Sequence, residues 1–320
     1  TIDEIRVPIY LITGFLESGK TTFLRFTLDQ DYFQIDGKTL LILMEEGEEE
    51  YDTKALAKNN TVVEVIEKEE DLTTERLEAM EIIHQPDRVV IEYNGMWLVS
   101  RFYDMKLPFG WGVEQQITCV DGSTFQVYMA NMKSIFMDMV KYTDMVVFNR
   151  CKREDPLANY RRSIKVSNQS AEVIFEDEEG EIDDIFGDQM PFDVNAPVIE
   201  IPPEDYGIWF VDAMDHPDTY VGKTVRFKGR VMKPRGMGSK FFVPGRIAMT
   251  CCADDTTFLG FVCKSAFAPK LKEKEWVEVT AKVAFERRME YQGDGVVLYA
   301  ENVTPCEPLE EEMVYFNKIA

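Results

Sequence analysis

Residues 14–22 read Gly-Phe-Leu-Glu-Ser-Gly-Lys-Thr-Thr and fit the pattern G-x-x-x-x-G-K-[ST], whose chemistry is the binding of nucleotide phosphates. Backbone N–H groups of such a loop surround the phosphates, and the lysine, here Lys20, reaches the β- and γ-phosphates. The hydroxyl of Thr21 is expected to ligate Mg²⁺. The candidate nucleotide-binding residues of this loop are Gly14, Glu17, Ser18, Gly19, Lys20, Thr21 and Thr22.

The segments on either side of the loop support this interpretation. An apolar run over residues 7–12 predicts a strand before it, and residues 21–28 predict a helix after it. A helix that begins at such a loop directs free N–H groups and the positive end of its dipole at a bound anion. A glycine turn followed by a chance Lys-Thr would not require these neighbours.

A second apolar run, residues 88–92, ends in Glu92, three residues before Gly95. In a parallel sheet this strand end lies close to the phosphate loop. Glu92 is therefore a candidate catalytic residue beside Lys20, either to orient the attacking water or to hold the Mg²⁺ shell. The small Gly95 lets a backbone N–H approach the γ-phosphate.

Residues 44–52, Met-Glu-Glu-Gly-Glu-Glu-Glu-Tyr-Asp, follow another predicted strand. Such a charge run is usually a solvated loop. Beside a Mg²⁺–nucleotide site it could instead form a mobile switch or a second cation site, with Glu45 and Glu48 as the candidate ligands.

The segment after the strand at 144–149 reads Asn149-Arg150-Cys151-Lys152. Guanine-specific hydrolases carry N-K-x-D here, and the aspartate accepts hydrogen bonds from the guanine edge. Asn149 and Arg150 are candidate nucleotide contacts, but the ammonium group of Lys152 only donates. Asp155, three residues further on, is a candidate substitute acceptor, and the choice between GTP and ATP stays open.

Together these residues resemble the CobW-type family of P-loop GTPases, which includes metallochaperones. The resemblance covers about 180 residues and implies a GTPase in which Lys20 and Thr21 serve phosphate and Mg²⁺, Glu45 and Glu48 are switch carboxylates and Glu92 is the strand-end acid. The segments that carry it are 12–22, 45–52, 91–95, 149–150 and 168–173.

Three positions depart from the family pattern. Glu17 stands where a glycine is usual, and Lys152 stands at the aspartate of the guanine loop. The C-x-C-C metal motif is absent, and residues 65–71 read Val-Ile-Glu-Lys-Glu-Glu-Asp there. Without thiolates this segment lacks the ligands that soft metals prefer, although hard oxygen ligands remain.

The C-terminal part is similar to the C-terminal domain of YcgQ-type bacterial proteins, which are often linked to metal homeostasis. The similar segments are 249–255 and 259–261. Cys251 and Cys252 are candidate ligands for a second metal such as Zn²⁺, with Cys263 or His216 to complete the set, or they are a buried thiol pair. Adjacent strand residues face opposite ways, so joint ligation requires a bulge or turn.

The pattern of elements predicts two domains. Strands at 6–13, 39–45, 61–66, 88–94, 114–120, 144–149 and 171–176, with helices at about 73–84 and 124–142, predict a doubly wound, mostly parallel α/β domain over residues 1–190. An acidic, proline-rich linker follows at 191–205. About five strands over residues 206–320, one of them at 257–263, predict a small all-β barrel of OB type.

The composition of the chain limits the classes of macromolecule that it is expected to bind. The formal net charge of −23 argues against nucleic acid and anionic membranes, which would be repelled. No apolar run approaches the ~20 residues of a membrane span. The six sparse cysteines fit a reducing cytoplasm.

These observations predict a cytoplasmic Mg²⁺-dependent nucleoside triphosphatase, with GTP favoured over ATP. It would act as a nucleotide-gated switch, with a role in metal homeostasis and a client metalloprotein as partner. The alternative is a low-turnover regulatory or scaffold protein whose β-domain binds a partner or a metal. The oligomeric state stays open.

Overall fold

The computed structural model describes residues 5–45, 51–182, 190–249 and 256–314. Contacts divide them into two compact units. The first comprises the described residues of Thr1–Leu157 and Ser167–Ile185, and the second those of Ala158–Val166 and Phe186–Ala320. No helix within these ranges combines the length and the apolar character that a membrane span requires.

The first unit alternates strands and helices, and most of the last helix is grouped with the second unit. The elements are β1 (Val7–Thr13), α1 (Lys20–Leu28), β2 (Thr39–Leu43), α2 (Thr53–Lys58), β3 (Thr61–Val65), α3 (Thr74–His84), β4 (Arg88–Glu92), α4 (Val99–Asp104), β5 (Trp111–Asp121), α5 (Phe125–Asn131), α6 (Lys133–Tyr142), β6 (Met145–Asn149), α7 (Leu157–Ser167), β7 (Glu172–Asp177) and β8 (Gly180–Glu181).

The strands form one sheet in the order β3-β2-β4-β1-β5-β6-β7-β8, in which each pair is parallel except β7 with the short β8. The central strands β2 and β4 are buried nearly throughout, as expected when helices cover both faces of a sheet. The predicted doubly wound, mostly parallel sheet is confirmed. The carboxyl ends of β1 and β4 meet where Ile12 pairs with Glu92.

The helix predicted over 124–142 is two helices. Met132 has φ −133° and ψ 30°, which is outside the helical region and ends α5 before α6 begins. Phe136, Met139 and Val140 of α6 are buried, so this face of the helix packs in the core.

The second unit is mostly strands. Its elements are β9 (Val198–Glu200), α8 (Tyr206–Asp215), β10 (Thr224–Met232), β11 (Phe241–Met249), β12 (Thr256–Gly260), β13 (Val262–Lys264), β14 (Trp276–Arg288), β15 (Gly293–Pro305) and β16 (Met313–Val314). Trp209 of α8 packs in this unit's core against Phe227 of β10 and Phe261, which lies between β12 and β13.

Five of these strands close into a barrel. The ring runs β10-β11-β13-β15-β14 and returns to β10, and only the β13–β15 pair in it is parallel. This order, 1-2-3-5-4 along the chain, agrees with the predicted OB-like barrel. The strand predicted over 257–263 is two strands, because β12 and β13 pair with opposite ends of β11.

The segment predicted as a linker, 191–205, contains β9, and β9 pairs in parallel with β10 through Val198 and Thr224. Part of this segment therefore belongs to the β-sheet of the second unit. The domain boundaries drawn from the sequence remain predictions.

Candidate functional site

The loop between β1 and α1 depends on backbone conformations that favour glycine. Gly14 and Gly19 have φ of 139° and 96°. A Cβ at Gly14 would lie 2.3 Å from the carbonyl oxygen of Cys119, and one at Gly95 would lie 2.6 Å from the carbonyl oxygen of Gly14. Strand β5 and the segment after β4 thus approach the loop so closely that side chains at these glycines would displace it.

Lys20 begins α1 and is buried, with 3% of its side chain exposed. Its Nζ donates to the carbonyl oxygens of Gly14 and Phe15, each at 2.9 Å, and to Glu45 Oε2 at 2.6 Å. The ammonium group is therefore held inside the loop by three oxygen acceptors, of which one is a carboxylate. Glu45 follows β2 and also accepts from the backbone N–H of Gly95 at 3.3 Å.

Thr21 and Glu92 meet beside this ion pair. The Thr21 hydroxyl donates to Glu92 Oε1 at 2.7 Å, and the Tyr51 hydroxyl donates to Glu92 Oε2 at 2.5 Å. Burial, and secondly the charge of Glu92, raise the pKa of Tyr51, so this phenol stays protonated as a donor. Both oxygens of the buried Glu92 carboxylate are thus engaged.

Asn149 and Arg150 lie at the end of β6, on the other side of the loop. The Asn149 side-chain amide donates to the Ser18 carbonyl oxygen at 2.7 Å, and Arg150 donates to the Glu17 carbonyl oxygen at 3.1 Å and to the Asp121 carboxylate. These contacts hold the phosphate loop itself. At the guanine-loop position the Asp155 carboxylate accepts from the Lys152 backbone N–H at 2.8 Å.

Two polar atoms beside the loop are buried with no hydrogen-bond partner in the described structure: Ser18 Oγ and Asn149 Oδ1. Buried polar groups normally have partners, and an orphaned one needs a cause. A nucleotide bound in the loop would supply polar groups at this place. The Lys20 ammonium, the Thr21 hydroxyl and the Glu92 carboxylate also form a suitable donor set for phosphate and Mg²⁺.

The structure thus brings together Lys20, Thr21, Glu45, Glu92 and Gly95, all of which were named from the sequence. Sequence reasoning missed two residues, Tyr51 and Asp121. Asp121 ends the largely buried β5, just as Glu92 ends β4. This shared pattern, a carboxylate at the carboxyl end of a buried strand, could have identified Asp121 from the sequence. Tyr51 closes the acidic segment, where only carboxylates were considered.

Three candidate ligands for a second cation or metal, the carboxylate of Glu48 and the thiols of Cys251 and Cys252, lie outside the described residues. Cys263 lies in the core of the second unit, where burial raises the pKa of its thiol to about 12, which disfavours a thiolate ligand. Across the described ranges no group of three or more His, Cys, Asp or Glu residues is arranged to hold a metal ion.

Two further cysteines, Cys119 and Cys151, and His84 have ordinary surroundings. Burial raises the pKa of the thiols of Cys119 and Cys151 to about 12, so both stay protonated. His84 ends α3, and its Nε2 lies 2.7 Å from Glu64 Oε1. These residues therefore have packing and helix-end roles in the described structure.

Two family models match the chain. The model described as CobW/HypB/UreG, nucleotide-binding domain matches residues 8–175, which is more than half of the chain. The model described as DUF1980 C-terminal domain matches residues 186–316. Both resemblances stated from the sequence are confirmed. Among curated proteins, none matches the sequence of this chain.

Several solved structures are similar to this chain. The Zn(II)-bound YjiA GTPase from E. coli is 21% identical, with a TM-score of 0.42 over 71% of this chain and 73% of its own. The hydrogenase maturation factor HypB from Archaeoglobus fulgidus is 17% identical, with a TM-score of 0.40 over 54% of this chain and 82% of its own. HypB from Helicobacter pylori, in complex with nickel, is 13% identical, with a TM-score of 0.33 over 54% and 80%.

Glu17 adopts a left-handed backbone conformation, with φ 61°. This costs an L-residue about 1–2 kcal/mol, and the chain entropy of glycine offsets about 0.5–1 kcal/mol of it. We therefore expect Glu17→Gly to raise the free energy of unfolding by about 0.5–1 kcal/mol, measured by urea denaturation. Glu17→Ala is the control, because it removes the carboxylate but keeps the Cβ. Equal gains in both variants would contradict the backbone explanation.

Proposed function

The chain belongs to the CobW/HypB/UreG nucleotide-binding domain family, and on this premise we propose that it is a Mg²⁺-dependent GTPase that acts as a nucleotide-gated switch. One observation carries the proposal. Two carboxylates, Glu45 and Glu92, hold the ammonium of Lys20 and the hydroxyl of Thr21, which are the two groups that a nucleotide and its metal require.

The phosphates bind at the Lys20 ammonium. Glu45 Oε2 at 2.6 Å is an anionic oxygen at this ammonium, as a γ-phosphate oxygen would be. A buried ammonium needs a counter-charge, since an uncompensated one costs several kcal/mol, roughly 3–5. The incoming phosphate supplies that charge when Glu45 leaves.

The metal binds beside the Lys20 position. Mg²⁺ prefers hard oxygen ligands, and the Thr21 hydroxyl and Glu92 carboxylate are 2.7 Å apart. When bound, Mg²⁺ neutralises charge that develops on the β- and γ-phosphate oxygens. The engagement of Glu92 with Thr21 favours a role in the Mg²⁺ shell over a role in orienting the water.

The switch is the exchange at Glu45. Its two oxygens bind the Lys20 ammonium and the Gly95 backbone N–H, and both donors are the groups expected to bind the γ-phosphate. A nucleoside triphosphate therefore displaces Glu45 from both donors at once, whereas a diphosphate leaves the γ-phosphate position to the carboxylate. Glu45 leads directly into residues 46–50, so the γ-phosphate state is passed to that segment.

Family membership supports GTP as the nucleotide and a role in metal homeostasis with a client metalloprotein. The departure at Lys152 limits how strongly guanine is selected, because its ammonium supplies no acceptor. Cys251 and Cys252 remain the candidate ligands for a transferred metal, and Glu48 remains a candidate switch carboxylate. The sparse, unpaired cysteines among the described residues fit a cytoplasmic location.

The first test is the affinity for GTP and for ATP in the presence of Mg²⁺, measured by calorimetry. We expect tighter binding of GTP, and a loss of about 100-fold in Lys20→Ala, because Lys20 is the charged donor to the phosphates. Lys152→Asp should increase the preference for GTP. Lys54→Ala, on α2, is the control that leaves affinity unchanged. A preference for ATP would reject the guanine assignment, and binding of neither nucleotide would reject the proposal.

Turnover separates the two functional classes. Mg²⁺-dependent release of phosphate by the wild type supports the GTPase. Tight nucleotide retention without measurable release would instead indicate the regulatory or scaffold protein considered as the alternative.

Replacement of Glu92 tests the Mg²⁺ shell. We expect Glu92→Gln to retain Mg²⁺-free nucleotide binding but to lose the Mg²⁺-dependent gain in affinity, with hydrolysis reduced about 100-fold. A Mg²⁺ titration of nucleotide affinity and turnover measures both. The control is Glu176→Gln, another carboxylate near a strand end, at β7. Unchanged Mg²⁺ dependence in Glu92→Gln would place the metal elsewhere.

Replacement of Glu45 tests the switch. In Glu45→Gln the Lys20 ammonium loses its counter-charge, so the nucleotide-free protein should be less stable by about 2–3 kcal/mol. Saturating GTP should restore most of this loss, so the Mg²⁺-free GTP affinity should rise by the same free energy, roughly 10–100-fold, because no carboxylate competes. Thermal unfolding with and without GTP measures the effect.

The matched control for this variant is Glu64→Gln, since Glu64 also pairs with a cation, Arg76, and contacts His84, but away from the loop. Its stability should change by the same amount with and without GTP. An equal loss for Glu45→Gln in both conditions would show that Glu45 and phosphate do not compete.

A further inference from the structure

A row of aromatic and basic side chains crosses the outer surface of the barrel in the second unit. Strand register pairs Phe241 of β11 with Lys264 of β13, Lys264 with Tyr299 of β15, and Tyr299 with Lys282 of β14. Paired residues in a sheet share a face, so the four side chains stand side by side. We call these four residues the aromatic–basic row.

The side chains of the row contact both cations and carboxylates: the Tyr299 hydroxyl donates to Glu286 Oε1 at 2.9 Å, Arg288 pairs with Glu290 Oε1 at 2.7 Å, and cations lie over the aromatic rings. Lys264 Nζ lies 6.0 Å from the ring centroid of Phe241 and 5.8 Å from that of Tyr299, and Arg288 lies 4.4 Å from the Phe241 ring. Lys264 and Lys282 are exposed, and Tyr299 is 37% exposed. Aromatic rings held open at a surface beside ammonium groups are available to a planar, anionic ligand.

Charge is distributed unevenly along this chain. Residues 223–249, which include β10 and β11, contain no Asp or Glu, whereas they contain eight Lys and Arg: Lys223, Arg226, Lys228, Arg230, Lys233, Arg235, Lys240 and Arg246. Some of these have structural partners, as Arg246 does with backbone carbonyls. Arg235 and Lys240 are exposed in the β10–β11 loop. The net charge of −23 therefore conceals a basic region.

Barrel topology places the loop and the row together. Lys240 precedes Phe241 directly, and Arg288 joins the row from the end of β14. In a five-stranded barrel of this order, ligands bind on the face of the second and third strands, between the loop that joins strands 1 and 2 and the loop that joins strands 4 and 5. The β10–β11 loop and the β14–β15 turn are these two loops here.

We propose that the aromatic–basic row and the β10–β11 loop bind single-stranded nucleic acid. Bases stack on Phe241 and Tyr299, as expected for a sequence-tolerant surface in which each base offers a flat face. The phosphates lie along Lys264, Lys282, Arg235 and Lys240. A duplex is excluded from this mode because its bases are already stacked on each other.

The test uses the full chain and a fluorescein-labelled dT12 oligonucleotide, with binding followed by fluorescence anisotropy from low to physiological salt. About four phosphate contacts predict a slope near −3 for the logarithm of affinity against the logarithm of salt concentration. Excess GTP should not displace the oligonucleotide, because the phosphate loop is a separate site. The corresponding duplex should bind at least tenfold more weakly.

Two variants separate the contribution of base stacking from that of the phosphate contacts. Tyr299→Ala should weaken dT12 binding about tenfold by loss of one stacking platform. Lys264→Glu should weaken it by a similar factor and reduce the salt slope by about 1. Tyr32→Ala and Lys58→Glu, both at exposed positions of the first unit, are the matched controls and should leave binding unchanged. Circular dichroism verifies that each variant is folded.

Three results would overturn the proposal. The first is no binding of dT12 at low salt, and the second is binding that neither Tyr299→Ala nor Lys264→Glu alters. The third is competition by inorganic polyphosphate of equal charge as effective as that by unlabelled dT12, which would show a surface for polyanions without base stacking.

Discussion

The first unit depends on one constraint, which is that the ammonium of Lys20 is buried and must always have anionic and carbonyl oxygens around it. Two backbone carbonyls of its own loop and the carboxylate of Glu45 meet this need in the described structure. The left-handed glycines, the close approach of Gly95 and the brace from Asn149 all keep the loop in the shape that supplies these oxygens. The same constraint makes Lys20 receptive to phosphate, since phosphate is the ligand that can replace the carboxylate.

Under the proposed function, exchange of Glu45 for a phosphate would relate nucleotide binding to movement without a separate mechanism. Glu45 accepts hydrogen bonds from both Lys20 Nζ and the Gly95 N–H. A ligand that binds one of these donors therefore weakens the interaction of Glu45 with the other. Glu92 plays a parallel role at the proposed metal position, where its two oxygens accept from Thr21 and Tyr51. Tyr51 lies just beyond the acidic segment, and Glu45 begins it. Both ends of that segment are therefore attached to residues expected to contact Mg²⁺–nucleotide.

The second unit carries a local surface whose charge differs from the average of the chain. A formal charge of −23 predicts repulsion from nucleic acid at long range, but short-range binding depends on the charges that face the ligand. Strand register gathers Phe241, Lys264, Tyr299 and Lys282 from four separate segments, and no linear pattern in the sequence connects them. The domain thus carries a surface whose character differs from that of the chain.

The sequence by itself determined the alternation of strands and helices in the first unit, the barrel class of the second, and the residues of the phosphate loop, because these follow from local periodicity and a contiguous motif. It also indicated Glu45, Glu92 and Gly95, since strand ends gather at one edge of a parallel sheet. Only the tertiary structure decided that Glu45 binds Lys20, that Asn149 and Arg150 brace the loop, that Met132 divides a helix and that Tyr51 reaches Glu92. Those contacts depend on side-chain directions and on distances between segments far apart in the chain, which no local pattern encodes.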